Sequence, residues 1–392
     1  MSFGKIIVLM LILAHLDRCA RTWSAMLETT RAEEHLSRSE EFIAAAVVGE
    51  DVIAVTRNGG VRTIARIGQD GTTPLARLDV EEPFGEALVS TADSHWWYGT
   101  AGFREQQFGT LFITGDSGDT VSSTFVPHDV HAPFMWLRLE EEKPRGLLVF
   151  FKSTAEMEAR EVTAAAEGRR WTFEAPPEYG LGIVWSAEPI ANDRIALVTA
   201  DGKAGIEERL TLRILGNEGV IATTILRTER RFDRISTAVD GRGRLAVVCE
   251  WAWNVEAAIF APDAPGEAKW QKLGAPAENP AVLAVPDGFV AAWRDRESGR
   301  IRVQELSARG VSLDLFSTHE RMPVVLRRAG DDDLLIASGS AYQRIPRNVA
   351  AAALLEWIRD VSASAAPALD RYRKEWSFIS NERPIEVVEG GT

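Results

Sequence analysis

The chain has 392 residues, with 44 Lys and Arg, 57 Asp and Glu, two Cys and 45% hydrophobic residues. An ordinary single core stops growing at about 250–300 residues, so two or more domains, or one domain built of repeats, are expected. The net charge of −13 argues against a general nucleic-acid or anionic-membrane binder, and two cysteines exclude a disulfide scaffold or a Cys-rich metal cluster.

At the N-terminus Lys5 precedes the apolar run Ile6–Ala14. A membrane-spanning helix needs about 20 apolar residues, and this run has the length of a signal-peptide core. Residues 1–25 are therefore expected to be a secretory signal peptide, with an uncleaved N-terminal anchor as the alternative, and no transmembrane domain is expected in the rest of the chain. Cleavage near Ala25 removes Lys5, Arg18 and Arg21 against Asp17 and leaves a mature charge of −15. It also leaves Cys249 as the sole cysteine, within the apolar run RLAVVC, where a small buried hydrophobe is its expected role. Residues 26–41 are polar and read as a leader segment or short helix.

From residue 42 onward the chain repeats itself. Seven short apolar runs recur: Asp51–Thr56, His95–Thr100, Gly146–Phe151, Arg194–Thr199, Arg244–Cys249, Gly288–Trp293 and Asp333–Ser338. Their starts are spaced by 44, 51, 48, 50, 44 and 45 residues, the range of four-stranded propeller blades. A short apolar segment precedes each run, as at Phe42–Val48, Phe134–Leu139, Ala281–Val285 and Met322–Leu326. Turns rich in Gly and Asp join the two, as at Asp240-Gly241-Arg242-Gly243. Alternating stretches follow, such as Val61–Ile67, Glu208–Ile214 and Ile301–Leu306, and period-two alternation marks a strand with unequal faces. A weaker fourth strand closes each unit.

The expected fold is therefore all-β: a seven-bladed β-propeller of four-stranded antiparallel blades over residues 42–368. A β-sandwich with regular strand spacing is the competing architecture. In the last blade Val349–Glu356 is read as the third strand, by alignment with Asn254–Phe260. Residues 369–392 do not fit the repeat and read as a tail or a ring-closing strand. Trp293 and Cys249, both ending second strands, are expected to be buried. Most of the 12 Trp, Trp96 and Trp97 among them, are expected to fill the wedges between blades.

The segment Pro286–Gly310, PDGFVAAWRDRESGRIRVQELSARG, resembles bacterial secreted β-propellers of the sialidase-like or non-catalytic seven-bladed kind. The other blades share its pattern. No blade carries the Trp-Asp dipeptide of WD repeats or the Asp box of sialidases. The resemblance implies the fold and leaves function to the site.

No Gly-rich phosphate loop, His-Glu-x-x-His, Cys-x-x-Cys or Gly-x-Ser-x-Gly motif is present, and no cofactor is expected. His128-Asp129-Val130-His131 places two imidazoles and a carboxylate within four residues, and His319 is a candidate third ligand for a divalent metal. Two unrelated histidines in a solvated loop are the simpler account. Carboxylates are spread along the whole chain, so an acid pair for glycoside hydrolysis cannot be picked from sequence spacing.

In a propeller the links between blades and the turns joining second to third strands gather on one face. That face is expected to bind, through His128, Asp129, His131, Tyr179, Arg231, Arg294, His319 and Glu320. The expected function is that of an exported, non-enzymatic propeller, periplasmic or extracellular, whose partner is a protein or a cell-envelope glycan. A carbohydrate-active hydrolase or lyase with its site in the central funnel is the alternative.

Overall fold

The computed structural model describes residues 34–349 apart from 37–39, 69–70, 91–94, 117–120, 132–133, 141–142, 154–155, 166, 175–184, 204–205, 287, 307–311, 319–321, 330–332 and 348. The expected signal peptide and C-terminal tail lie outside the described residues, as do Tyr179, His319 and Glu320.

Twenty-eight strands form seven four-stranded antiparallel sheets. The first described strand is β1 (Glu34–His35). Blade one follows with β2 (Glu41–Val48), β3 (Asp51–Asn58), β4 (Val61–Gly68) and β5 (Gly71–Arg77). Blade two holds β6 (Glu81–Ser90), β7 (His95–Arg104), β8 (Gln107–Asp116) and β9 (Val121–Pro127). Blade three holds β10 (Phe134–Glu140), β11 (Lys143–Phe151), β12 (Glu156–Thr163) and β13 (Glu167–Glu174). Blade four holds β14 (Trp185–Ile190), β15 (Arg194–Lys203), β16 (Glu207–Gly216) and β17 (Gly219–Glu229). Blade five holds β18 (Arg234–Val239), β19 (Leu245–Trp251), β20 (Asn254–Phe260) and β21 (Gln271–Gly274). Blade six holds β22 (Ala277–Val285), β23 (Gly288–Asp295), β24 (Arg300–Glu305) and β25 (Ser312–Ser317). Blade seven holds β26 (Val325–Ala329), β27 (Asp333–Ser338) and β28 (Ala341–Pro346), with β1 as its outermost strand.

The first strands of successive blades pack side by side, and β26 meets β2, so the blades close into a ring. Every apolar run singled out in the sequence is the second strand of its blade. These strands are apolar on both sides because both sides meet neighbouring blades. The core is divided accordingly. One cluster joins blades one and two around Trp96 and Tyr98, and another joins blades three and four around Trp171 and Trp185. A third joins blades five and six around Phe289 and Trp293. Trp293 is 1% exposed and Cys249 0%, as expected of residues ending second strands. Trp96 lies over Gly115, its cross-strand neighbour, where any side-chain carbon would collide with the indole.

Blade seven departs from expectation. Its third strand is Ala341–Pro346, not Val349–Glu356. The turn at Ser338–Ala341 is short because Gly339 adopts φ +60, so the chain reverses at once. The fourth strand is β1, from the segment expected to lead into the ring. Glu34 pairs with Tyr342 and His35 with Ala341. The Leu36 N–H donates to the Ser340 carbonyl at 2.9 Å and the Phe42 N–H to the Gly339 carbonyl at 2.7 Å. Leu36 is buried among Phe42, Val325 and Tyr342. No helix among the described residues is long and apolar enough to cross a membrane.

Candidate functional site

Antiparallel hairpins alternate between the two ends of a blade. The links between blades and the turns after the second strands therefore share one end of the ring, as the repeat pattern predicts. At that end blades four, five and six enclose a half-open cleft of about 790 Å³. It is built from the link Arg230–Asp233, the turn after β19, the start of β22, and Arg296 after β23.

The turn after β19 has two residues, Ala252 at φ +45 and Trp253 at φ +64. A tight hairpin turn with both residues left-handed favours Gly or Asn, so a Trp there costs strain of order 1 kcal/mol. Asn254 holds the turn, its Nδ2 donating to the Trp251 and Ala252 carbonyls at 3.3 and 3.1 Å. The Ala277 N–H donates to the Trp253 carbonyl at 2.7 Å and ties the turn to blade six. The result is an indole standing at the cleft, 51% exposed. The Arg296 guanidinium stacks on it, its Cζ 3.5 Å from the ring centroid.

Below the indole lies a bulge in β22. Glu278 pairs with Arg294 and Ala281 with Ala292, so Asn279 and Pro280 together stand opposite Trp293. Asn279 takes φ +56, and its backbone N–H donates to Glu250 Oε2 at 2.8 Å. Its side chain is 4% exposed, and Nδ2 has no hydrogen-bond partner. The Trp251 Nε1 is likewise buried without an acceptor. Arg227 backs this indole with its Cζ 4.9 Å from the ring, and is itself held by Glu229 and Glu256.

The charges are unevenly matched. Arg231 pairs with Asp233 at 2.8 Å. Arg294 donates to Glu278 at 2.9 Å, and Arg296 lies 3.7 Å from the same carboxylate. Arg230 and Arg234 are exposed and make no ion pair or hydrogen bond among the described residues. Glu250 is buried; loss of hydration pushes its carboxyl above the usual range, and nearby Asp233 and Glu278 add to this, against the Asn279 N–H and Arg234. Burial alone would also raise Asp295, but hydrogen bonds from the Ser298 N–H and hydroxyl hold it low.

Of the residues picked from sequence, Arg231 lines the cleft, and buried Arg294 braces it through Glu278. His128, Asp129 and His131 lie in the link between blades two and three, outside the cleft. The His128 side chain is buried; Nδ1 is 3.2 Å from Glu167 Oε1, and Nε2 is 2.8 Å from the Thr110 hydroxyl. A carboxylate can only accept, so Nδ1 carries the proton and Nε2 accepts from Thr110. Asp129 pairs with Arg160 at 2.8 Å, and the His131 ring lies 4.6 Å from that of Phe108. Among the described residues no group of three metal-ligating side chains comes together. Sequence reasoning missed Trp251, Trp253, Glu250, Arg234 and Arg296. The one local signal is the Trp251-Ala252-Trp253-Asn254 tetrapeptide, two indoles at the expected second turn.

No protein-family model matches the chain, and no curated protein matches it. Among solved structures, virginiamycin B lyase from Staphylococcus aureus is similar at TM-score 0.51 and 11% identity, over 81% of this chain and 98% of that one. Puromycin hydrolase is similar at TM-score 0.54 and 14% identity, over 79% of this chain and 52% of that one. A puromycin-hydrolyzing peptidase of Mycobacterium tuberculosis is similar at TM-score 0.51 and 12% identity, over 81% of this chain and 54% of that one. The chain thus spans about half the length of the last two. Likeness at such identities shows a shared propeller fold and nothing of activity.

Proposed function

We propose that the chain is an exported, non-enzymatic propeller that binds a protein or cell-envelope glycan through the end of the ring carrying the cleft. One observation carries this reading. An exposed indole and two guanidinium groups that make no ion pair among the described residues line one cleft. Ligand sites are typically concave, with few well-placed polar groups, and span about 300–1,000 Å³.

The test compares the two ends of the ring. Wild type, Trp253→Ala, Arg296→Ala and Glu218→Ala are titrated onto immobilised cell-envelope glycan and onto envelope proteins. Glu218 is exposed at the opposite end, between β16 and β17. The expected result is a loss of about tenfold or more for the first two variants, some 1.4 kcal/mol, and none for the third. The reverse pattern contradicts the reading. Export is checked separately by N-terminal sequencing of protein recovered outside the cytoplasm, which should lack residues 1–25.

A carbohydrate-active hydrolase or lyase is the second reading. It is favoured by Glu250, a buried carboxyl on the cleft whose proton affinity is raised toward that of a general acid. If it holds, envelope glycan is cleaved by wild type and Glu250→Gln abolishes cleavage while leaving binding intact.

A further inference from the structure

We infer that the cleft takes an acidic oligosaccharide, a chain of carboxylated sugar rings, with one ring on Trp253 and a carboxylate on Arg230 and Arg234; this rests on the binding reading above. The cleft has donors to spare. Arg230 and Arg234 are exposed on it and make no ion pair among the described residues. A carboxylate is the ligand group that complements these two guanidinium groups. In a protein at −13 the lining holds four Arg and four carboxylates, a local balance of charge within which Arg230 and Arg234 make no ion pair among the described residues.

The shape of the site selects a sugar over a peptide. Arg296 covers one side of Trp253, while about half of the Trp253 surface remains open. An indole face packs against the flat C–H side of a sugar ring and leaves its hydroxyls free for polar partners. Peptides are captured by adding a strand to an open sheet edge or by seating apolar side chains in pockets. The cleft offers neither. The open edges are the outermost strands at the rim of the ring, and the uncharged cleft residues are Trp251, Ala252, Trp253 and Asn279.

The experiment is calorimetric titration of the full chain with tetragalacturonate and with a hyaluronan tetrasaccharide. Fully methyl-esterified tetragalacturonate and tetraglutamate serve as the neutral sugar and the acidic peptide. At least one of the two acidic sugars should bind, the ester about tenfold or more weaker, and tetraglutamate not at all. Arg230→Gln/Arg234→Gln should lose about tenfold or more, as should Trp253→Ala, with Trp253→Phe recovering part of the loss. These side chains are exposed, so circular dichroism should show each variant folded. Failure of both acidic sugars to bind overturns the inference, as does unchanged affinity in the double Arg variant. If the ester or tetraglutamate binds as tightly and still needs Trp253, the acidic-sugar inference fails while the binding reading stands. If a ligand binds and only Glu218→Ala weakens it, both fail.

Discussion

His128 shows how a residue suited to chemistry is committed to structure. Burial lowers its pKa below the ordinary 6.5, against the pull of the Glu167 hydrogen bond and charge. The folded protein therefore binds fewer protons at this ring than the unfolded chain once pH falls below about 6.5, and stability declines with acidification through that window. Asp129, exposed and hydrogen-bonded to Arg160, and Glu167, held low by Arg160 and Arg170 against partial burial, act at lower pH, in the carboxylate range. Glu188, on the innermost strand of blade four, has the opposite sign. It is half-buried, and lost hydration pushes its carboxyl up to about 8 against the attraction of Arg327. It costs stability as pH rises from about 4.5 toward 8. Comparing wild type with His128→Gln isolates the histidine. The gap in thermal midpoint should be steady above about pH 7 and narrow below about 6.5 as wild type loses stability. A gap that stays constant down to about pH 5 would contradict the neutral, buried assignment.

At the scale of the element, the second strands were legible because burial on both faces leaves a run of apolar residues that no surface position interrupts. The third strands were legible by alternation, and blade seven shows the limit of that signal. Val349–Glu356, alanine-rich and so helical by composition, aligns with the strand Asn254–Phe260, but hairpin geometry at Gly339 brings Ala341–Pro346 into register first. A two-residue closing strand such as β1 is too short to carry any periodicity. The cleft was harder to read, for related reasons. Its left-handed turn carries Ala and Trp where Gly or Asn would announce it, whereas Arg230-Arg231 and Glu278-Asn279 were legible as links between blades. Ring closure by the N-terminal segment can be tested at Leu36. Leu36→Ala should lower stability by about 2–5 kcal/mol, as for a buried leucine, whereas Ile206→Ala, at a position 63% exposed, should change it by about 0.5 or less. Equal effects in chemical denaturation would mean that the segment does not close the ring.

At the scale of the whole molecule, the ring is a rigid frame with two chemically different ends. The opposite end is dense with satisfied pairs. Arg169 binds Glu161, Asp193 and Asn217, and Arg244 is clamped by Asp240. The cleft end carries an exposed indole on a left-handed turn at Trp253 and a left-handed bulge residue at Asn279, while at the other end Asn192 and Asp193 are a left-handed pair. The most direct test is hydrogen–deuterium exchange of the full chain, with and without saturating solubilised cell-envelope glycan fragments. The account predicts slowed exchange in peptides covering 229–234, 250–254, 276–279 and 294–299. Protection confined to 190–194, 215–220 and 239–244, at the other end of the ring, would contradict it.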